Sequence, residues 1–202
     1  MGLLDKLLGE APVHEPKEDL GGILTGDEIN YRVHTGQIRI SDYDKVNLNP
    51  NSYNIRCGDT VTVYKGIKVI DLHDPSTYNQ TETFDIPDEG IILRPGTLYL
   101  VPTREIIGTD SYVPLLTGRS SMGLAGITVH QEAGFGDVGY HGRWTMQIKV
   151  TYPTIIYKGD PIAQIYFLTP CGMITELYHG KYQGSETGHA TKWRKTDGLQ
   201  DA

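Results

Sequence analysis

The chain has 202 residues, enough for one domain with a sizeable core, and a formal net charge of −7 at pH 7. This acidic balance argues against a nucleic-acid scaffold, which depends on clustered Lys and Arg, but it allows a small anionic ligand in a local basic pocket. No apolar run of the sequence approaches the ~20 residues of a membrane span, so neither nucleic acid nor a membrane is an expected partner. The two cysteines, Cys57 and Cys171, have no metal-ligand spacing and predict reduced thiols in a cytoplasmic protein.

Three regions are predicted along the chain. Residues 1–20 contain a short amphipathic piece and a charged stretch with two prolines, which indicates an appendage or linker that either stays mobile, the favoured interpretation, or docks on a partner. Residues 21–170 carry the core-forming pattern, and residues 171–202 are a glycine-containing arm that cannot form a core by itself. Residues 26–36 predict a helix because Ile29 and Val33 are four apart, acidic residues begin it and Gly36 ends it.

After this helix the hydrophobic pattern changes to a period of two, which is typical of strands. The predicted strands are 38–40, 52–56, 60–64, 68–70, 91–93, 98–101, 126–129, 143–150 and 163–167. Residues 71–90 predict a long polar loop or a hairpin insertion. Many short strands and one short N-terminal helix predict a mainly β protein, either a barrel or a jelly-roll-like sandwich.

The most informative block is GRSSMG at residues 118–123, followed by VHQEAGFGDVGYHG at 129–142. Arg119 offers a planar fork of donors to phosphate oxygens, and the Ser120 and Ser121 hydroxyls add neutral donors. Asp137 can orient a water, a metal ion or a sugar hydroxyl. These residue types predict a pocket for a phosphorylated nucleoside.

This block resembles the dCTP deaminase and dUTPase superfamily, whose deaminase branch carries GRSS-x-x-R and then H-x-T-A-G-[WF]-x-D-x-G-[WFY]-x-G. Further segments resemble the superfamily in the same order: LNPNSYNIR at 48–56, IILRPG at 91–96, IIYKGDPIAQI at 155–165 and GKYQG at 180–184. The resemblance covers roughly residues 22–190. It implies a dUTPase-like distorted β-barrel or jelly-roll that forms a homotrimer, with a pyrimidine deoxynucleoside triphosphate between subunits and the C-terminal arm as a lid.

The resemblance also implies roles for single residues. Arg119, Ser120 and Ser121 would contact phosphates, and the first two would help to place the reacting water. Asp137 would touch the sugar 3′-hydroxyl and, as in the dUTPase branch, help to activate the hydrolytic water. Tyr140 packs either on the sugar or in the core.

Several other candidates follow from the same matched segments. Ala133 fits the place where backbone groups read the pyrimidine edge, beside Gln131, and His130 is interpreted as a strand histidine with its hydrogen bonds satisfied. The candidates of the tail, which the resemblance implies in phosphate clamping and in covering the nucleotide, are Tyr178, Lys181, Tyr182 and Gln183.

The chain departs from the deaminase pattern at the position that matters most for acid-base chemistry. Where the family has a Glu that shuttles a proton, this chain has Gln147, and an amide can hold a base by hydrogen bonds but cannot shuttle the proton. The second Arg of GRSS-x-x-R is Leu124, and the Gln usual in the tail is Ser185. Glu132 stands where deaminases usually have Thr. It is either a solvent-facing strand residue or a replacement for the missing carboxylate.

Three functions stay open from the sequence. The main prediction is a hydrolase that splits a dUTP-type triphosphate into monophosphate and pyrophosphate, with Mg²⁺ bound through the phosphates. The alternative is a dCTP deaminase, possibly bifunctional, whose deamination would need no metal at the base because the zinc deaminase signature is absent. The third is a nucleotide-binding regulatory protein without catalysis.

Overall fold

A computed structural model of the chain describes residues 21–130 and 132–193. The predicted appendage at 1–20, the candidate Gln131 and the last residues of the predicted arm lie outside the described residues.

The helix α1, Gly26–His34, confirms the predicted N-terminal helix. Thr25 caps it, because its hydroxyl accepts a hydrogen bond from the backbone N–H of Glu28 at 3.3 Å. Asp27 and Glu28 lie in the first turn, where negative charge interacts favourably with the helix dipole. Ile29 is fully buried, so α1 packs one apolar face on the core.

The strands form four antiparallel sheets within the described part of the chain. In chain order they are β1 Gly22–Ile23, β2 Ile38–Ile40, β3 Leu48–Asn49, β4 Ser52–Arg56, β5 Thr60–Tyr64, β6 Thr81–Asp85, β7 Ile91–Leu93, β8 Tyr99–Pro102, β9 Ile107–Thr109, β10 Val113–Gly118, β11 Ile127–Val129, β12 His141–Gly142, β13 Thr145–Val150, β14 Thr154–Ile156 and β15 Pro161–Thr169. A five-residue helix, α2 Ser120–Leu124, follows β10.

Two five-stranded sheets carry most of the fold. In the first, β15 pairs with β1, β4 and β10, and β4 also pairs with β3. The second has the order β11-β13-β8-β5-β6, and the smaller sheets are β12-β9-β2 and β14-β7. This is the mainly β, jelly-roll-like architecture that the sequence predicted.

The alternating pattern of each long strand explains where the core lies. In β15 the side chains of Ile165 and Phe167 are fully buried, and in β13 Met146 and Ile148 are fully buried. Alternate residues point to opposite faces of a sheet, so the polar residues between them face away from this core. The Glu105 side chain is also fully buried, and its carboxylate accepts a hydrogen bond from Nε of the partly exposed Arg56 at 2.6 Å.

The structure differs from the sequence prediction at several elements. Residues 68–70 do not form the predicted strand; Val69, for example, is an exposed loop residue. The hairpin alternative for residues 71–90 is confirmed, because β6 pairs with β5. The strand β10 and the helix α2 were not predicted from sequence, since Pro114 interrupts the strand pattern and the Ser-rich segment reads as a turn.

Among the described residues, none of the helices has the length and apolar content needed to cross a membrane.

Candidate functional site

A pocket with a volume of about 520 Å³ lies over the sheet β11-β13-β8-β5-β6, between the loop that follows β11 and the C-terminal tail. Its lining combines an exposed carboxylate, an amide, two histidines and several aromatic rings. The lining side chains used below are Ala133, Asp137, Tyr140, Trp144, Gln147, Tyr178, Tyr182, His130 and His189.

Strand β13 supplies the floor of the pocket. Met146 and Ile148 point into the core. Thr145 and Gln147, which alternate with them along the strand, therefore point to the opposite face and line the pocket. Gln147 lies directly opposite Leu100 of β8 in the strand register, and both residues line the pocket. The amide that replaces the family carboxylate is therefore at the site, where it can hold a ligand group or a water by hydrogen bonds.

The turn from Gly134 to Tyr140 presents Asp137 at the pocket rim, and its glycines are required by close contacts. A Cβ at Gly136 would lie 2.4 Å from Trp144 Cη2. Gly139 has a φ of 93°, and a Cβ there would lie 2.6 Å from Leu177 Cβ. Any larger residue would push the turn away from Trp144 or from the tail, so these glycines set the position of the carboxylate.

An aromatic wall stands beside Asp137. The ring of Tyr140 meets those of Trp144 and Tyr178 edge to face, with centroids 5.6 and 5.8 Å apart. The Tyr140 hydroxyl donates to the backbone oxygen of Arg143 at 2.8 Å, and burial raises the pKa of Tyr140 to about 12. Tyr140 packs against the core, as one of the two alternatives from the sequence had it, and it also lines the pocket, so its contact with a sugar stays a prediction.

The C-terminal tail crosses the pocket and closes one side of it. The Tyr178 N–H donates to Val138 O at 2.8 Å, and the His189 N–H donates to the Thr145 hydroxyl at 3.1 Å. Between Tyr178 and His189, the side-chain amide of Gln183 makes two hydrogen bonds to the backbone of the Asp137 turn and the residue that follows it. Its Nε2 donates to Gly139 O at 2.7 Å, and its Oε1 accepts from the His141 N–H at 2.8 Å. Tail and turn therefore form one wall.

Several sequence-predicted residues lie away from this pocket. Arg119 donates from Nη1 to Pro161 O at 2.6 Å, and Ser120 and Ser121 are exposed on α2. In the tail, the Nζ of Lys181 lies 5.7 Å from the ring centroid of Tyr182. Gln183 holds the tail through the contacts described above, and it does not line the pocket.

Glu132 is likewise not one of the pocket-lining residues. Its carboxylate pairs with Lys149 Nζ at 2.8 Å, and its side chain is 53% exposed. The hydrogen bond from Lys149 lowers the pKa of Glu132, which keeps the carboxylate charged. This arrangement corresponds to the solvent-facing alternative.

His130 is the residue whose surroundings the sequence analysis predicted wrongly. It is 5% exposed and lines the pocket, yet neither ring nitrogen makes a hydrogen bond with the described residues. The interpretation as a strand histidine with satisfied hydrogen bonds is therefore wrong on both counts. The ring nitrogens have no partner among the residues that the structure describes, and His130 lies just outside β11, which ends at Val129, with a φ of 50°. The indole N–H of Trp144 is buried without a partner in the same way. Burial depends on packing between distant segments, so no local sequence signal could have shown it.

The described residues contain no cluster of three or more His, Cys, Asp or Glu side chains that could hold a metal ion.

Comparison with known proteins identifies the family. A family model described as dCTP deaminase-like matches residues 23–169. A dUMP-forming dCTP deaminase of Leptospira biflexa serovar Patoc is 46% identical over 164 residues, which are 81% of this chain and 91% of that protein. A dUMP-forming dCTP deaminase of Clostridium beijerinckii is 40% identical, again over 164 residues, with 81% and 92% covered.

A solved structure shows the same fold. The crystal structure of 2′-deoxycytidine 5′-triphosphate deaminase from Agrobacterium tumefaciens superposes with a TM-score of 0.60 at 21% identity. The match covers 74% of this chain and 49% of that one, so this chain spans about half the length of that structure. Fold and site thus define a member of the dCTP deaminase and dUTPase superfamily of nucleotide metabolism. Within it, the chain belongs to the dCTP deaminase-like family.

Proposed function

We propose that this protein converts dCTP into dUMP and releases ammonia and pyrophosphate. The observation that carries the proposal is the pocket that brings Ala133, Asp137 and Gln147 together, from segments matched to a family whose relatives are dUMP-forming dCTP deaminases. The deaminase alternative from the sequence therefore fits better than hydrolysis of dUTP alone. The volume of about 520 Å³ lies in the usual range of small-molecule sites, about 300–1,000 Å³.

The position of the phosphate-binding motif supports a site shared between subunits. Arg119, Ser120 and Ser121 lie outside the pocket of their own chain, although the resemblance implies that they contact the triphosphate. Beside them Leu124 is 91% exposed, so the surface next to this motif is open to a neighbouring subunit. In a homotrimer these three residues would face the pocket of a neighbouring subunit. Light scattering should then give three times the mass of the chain.

Deamination requires water to attack C4 of the cytosine and ammonia to leave. Gln147 can orient the water or the exocyclic amino group through its amide, but it cannot take up the proton. The backbone around Ala133 would read the pyrimidine edge. Another group must therefore carry the proton.

Pyrophosphate release requires water to attack the α-phosphorus as the bond to the bridging oxygen breaks. Asp137, at the rim beside Tyr140, would hold the sugar 3′-hydroxyl or orient this water. Since the described residues form no metal cage, Mg²⁺ would enter with the triphosphate, whose oxygens it prefers. When bound, it would neutralise phosphate charge.

Gln147 favours a second candidate, a dUTP diphosphatase without deaminase activity. The two functions differ in their use of dCTP. Purified protein is incubated with dCTP and with dUTP separately, with Mg²⁺, and ammonia, pyrophosphate and nucleotides are measured by chromatography and coupled assays.

Ammonia and dUMP from dCTP would support the proposal. Pyrophosphate from dUTP with dCTP unchanged would replace it by the second candidate. Binding without any product would reject both and leave a regulatory protein.

A further inference from the structure

His130 stands next to the position where the deaminase branch carries its proton-shuttling carboxylate. The register of β11 and β13 pairs Val129 with Ile148, and one step further the His130 N–H donates to the backbone oxygen of Gln147 at 2.8 Å. Residues directly opposite on antiparallel strands have neighbouring side chains. His130 and Gln147 both line the pocket, so a titratable ring adjoins the amide that cannot titrate.

The ring of His130 is buried, and no described group meets the geometry of a hydrogen bond with either ring nitrogen, although the Ala133 backbone lies close enough to influence the pKa of the ring. Its two nitrogens and the indole nitrogen of Trp144 are the buried side-chain nitrogen and oxygen atoms that lack a hydrogen bond within the described residues. All three belong to two side chains of one pocket, whose rings meet edge to face with centroids 5.9 Å apart. Buried polar atoms in folded proteins nearly always have a partner, so this cluster points to a ligand or a reacting water as the missing partner.

We propose that His130 is the proton carrier of the deamination step, a role that rests on the proposed conversion of dCTP. One imidazole nitrogen accepts a proton from water while the water oxygen bonds to C4. The imidazolium then gives that proton to the amino group, the C4–N bond breaks and ammonia leaves. The second proton of the water moves to N3 as the C4 carbonyl forms, so the base becomes uracil and all atoms balance.

The surroundings of His130 favour the neutral ring that such a base needs. Burial lowers the pKa of His130, while the Ala133 backbone and the Glu132 charge oppose the shift. Glu132 is itself paired with Lys149. The other charged or titratable side chains facing the same space are Asp137, Arg143, His189 and the pocket tyrosines. A neutral imidazole carries one acceptor and one donor nitrogen, which suits transfer in both directions.

The test uses full-length protein and a variant that the backbone tolerates. Asn accepts a positive φ more readily than most residues, so His130→Asn keeps the loop while removing the titratable ring. We expect ammonia release from dCTP to fall about 10²–10⁴-fold, the usual contribution of acid-base catalysis, while pyrophosphate release from dUTP continues. The matched control is His179→Asn, an exposed tail histidine outside the pocket, which should change neither activity.

A rescue separates proton transfer from a structural role. Gln147→Glu in the His130→Asn background places a carboxylate beside the lost imidazole and should restore ammonia release. The acid limb of the pH profile should then move from below pH 6.5 toward the pKa of a glutamate carboxylate, about 4.3.

The outcomes distinguish the two proposals. Wild-type protein that yields no ammonia from dCTP defeats the proposed function, and the inference with it. Wild-type protein that yields ammonia, together with a His130→Asn variant that does so equally fast, defeats the inference alone. Loss of both activities without rescue by Gln147→Glu also defeats it, because the variant then has a binding or folding defect.

Discussion

The side chain of Gln183 holds the C-terminal tail on the Asp137 turn, so truncating it should open the pocket. In Gln183→Ala the oxygen of Gly139 and the N–H of His141 lose the hydrogen bonds of 2.7 and 2.8 Å that Gln183 makes. No other tail side chain offers both a donor and an acceptor to that turn among the described contacts.

The expected effect follows from two hydrogen bonds. Each contributes about 0.5–1.5 kcal/mol net, and exposure of Gln183 to solvent places the pair near the lower end, about 1–2 kcal/mol together. Since about 1.4 kcal/mol corresponds to a factor of ten, the fraction of molecules with an undocked tail should rise roughly tenfold. The backbone bond from the Gly184 N–H to His141 O remains and limits the effect.

Limited proteolysis measures this fraction directly. Trypsin cleaves after lysine, and Lys181 and Lys192 flank the docked segment, so the cleavage rate without nucleotide should rise about tenfold in Gln183→Ala. Glu186→Ala, at an exposed tail position, is the matched control and should be cleaved at the wild-type rate.

Equal cleavage of wild type and Gln183→Ala would refute the reasoning. If that result came with a selective loss of affinity for triphosphate over monophosphate, Gln183 would act on the phosphates, as the family resemblance implies.

Three further predictions concern stability, pH and activity. Arg56→Met leaves the Glu105 carboxylate buried without its cation, and the free energy of unfolding should fall by about 3–5 kcal/mol in chemical denaturation. The folded-state pKa of His130 is lowered below 6.5 by burial, so stability present above pH 6.5 should be lost as pH falls through the folded pKa, since the unfolded chain binds the proton more readily. Asp137→Asn should slow pyrophosphate release about 10²–10⁴-fold, measured in a phosphate assay coupled to an inorganic pyrophosphatase.

Each has a matched control. Lys65→Met removes an exposed ion pair with Glu82 and should cost no more than about 1 kcal/mol; a similar cost in Arg56→Met would contradict the argument from burial. His130→Asn should flatten the stability profile below pH 6.5, and an unchanged slope would assign the loss of stability to other groups. Asp85→Asn, in β6 outside the pocket, should keep full activity, and so should Asp137→Asn if that carboxylate has no role.

The strand pattern and the motif order contain information that is local in the sequence. Ile29 and Val33 predict α1, because helical residues four apart share a face. In the same way, alternation along β13 predicts which of its residues face the core. The glycines around Asp137 predicted a turn through their backbone freedom, and the family resemblance predicted that this turn lies at a nucleotide pocket. The local pattern at residues 68–70 predicted a strand wrongly, because β-branched residues form a strand only where a neighbouring strand pairs with them.

The sequence by itself therefore determined the fold class and the family, and through the family resemblance it predicted Asp137 and Gln147 at the pocket. Only the tertiary structure decided that Glu132 pairs with Lys149, that Arg119 lies outside its own pocket and that His130 is buried without a partner. Burial and ion pairing arise from contacts between segments that are far apart in the chain, so the residues next to a side chain in the sequence do not show what will cover it. The environment that shifts a pKa, and with it the chemistry of a site, exists only once those segments have packed together.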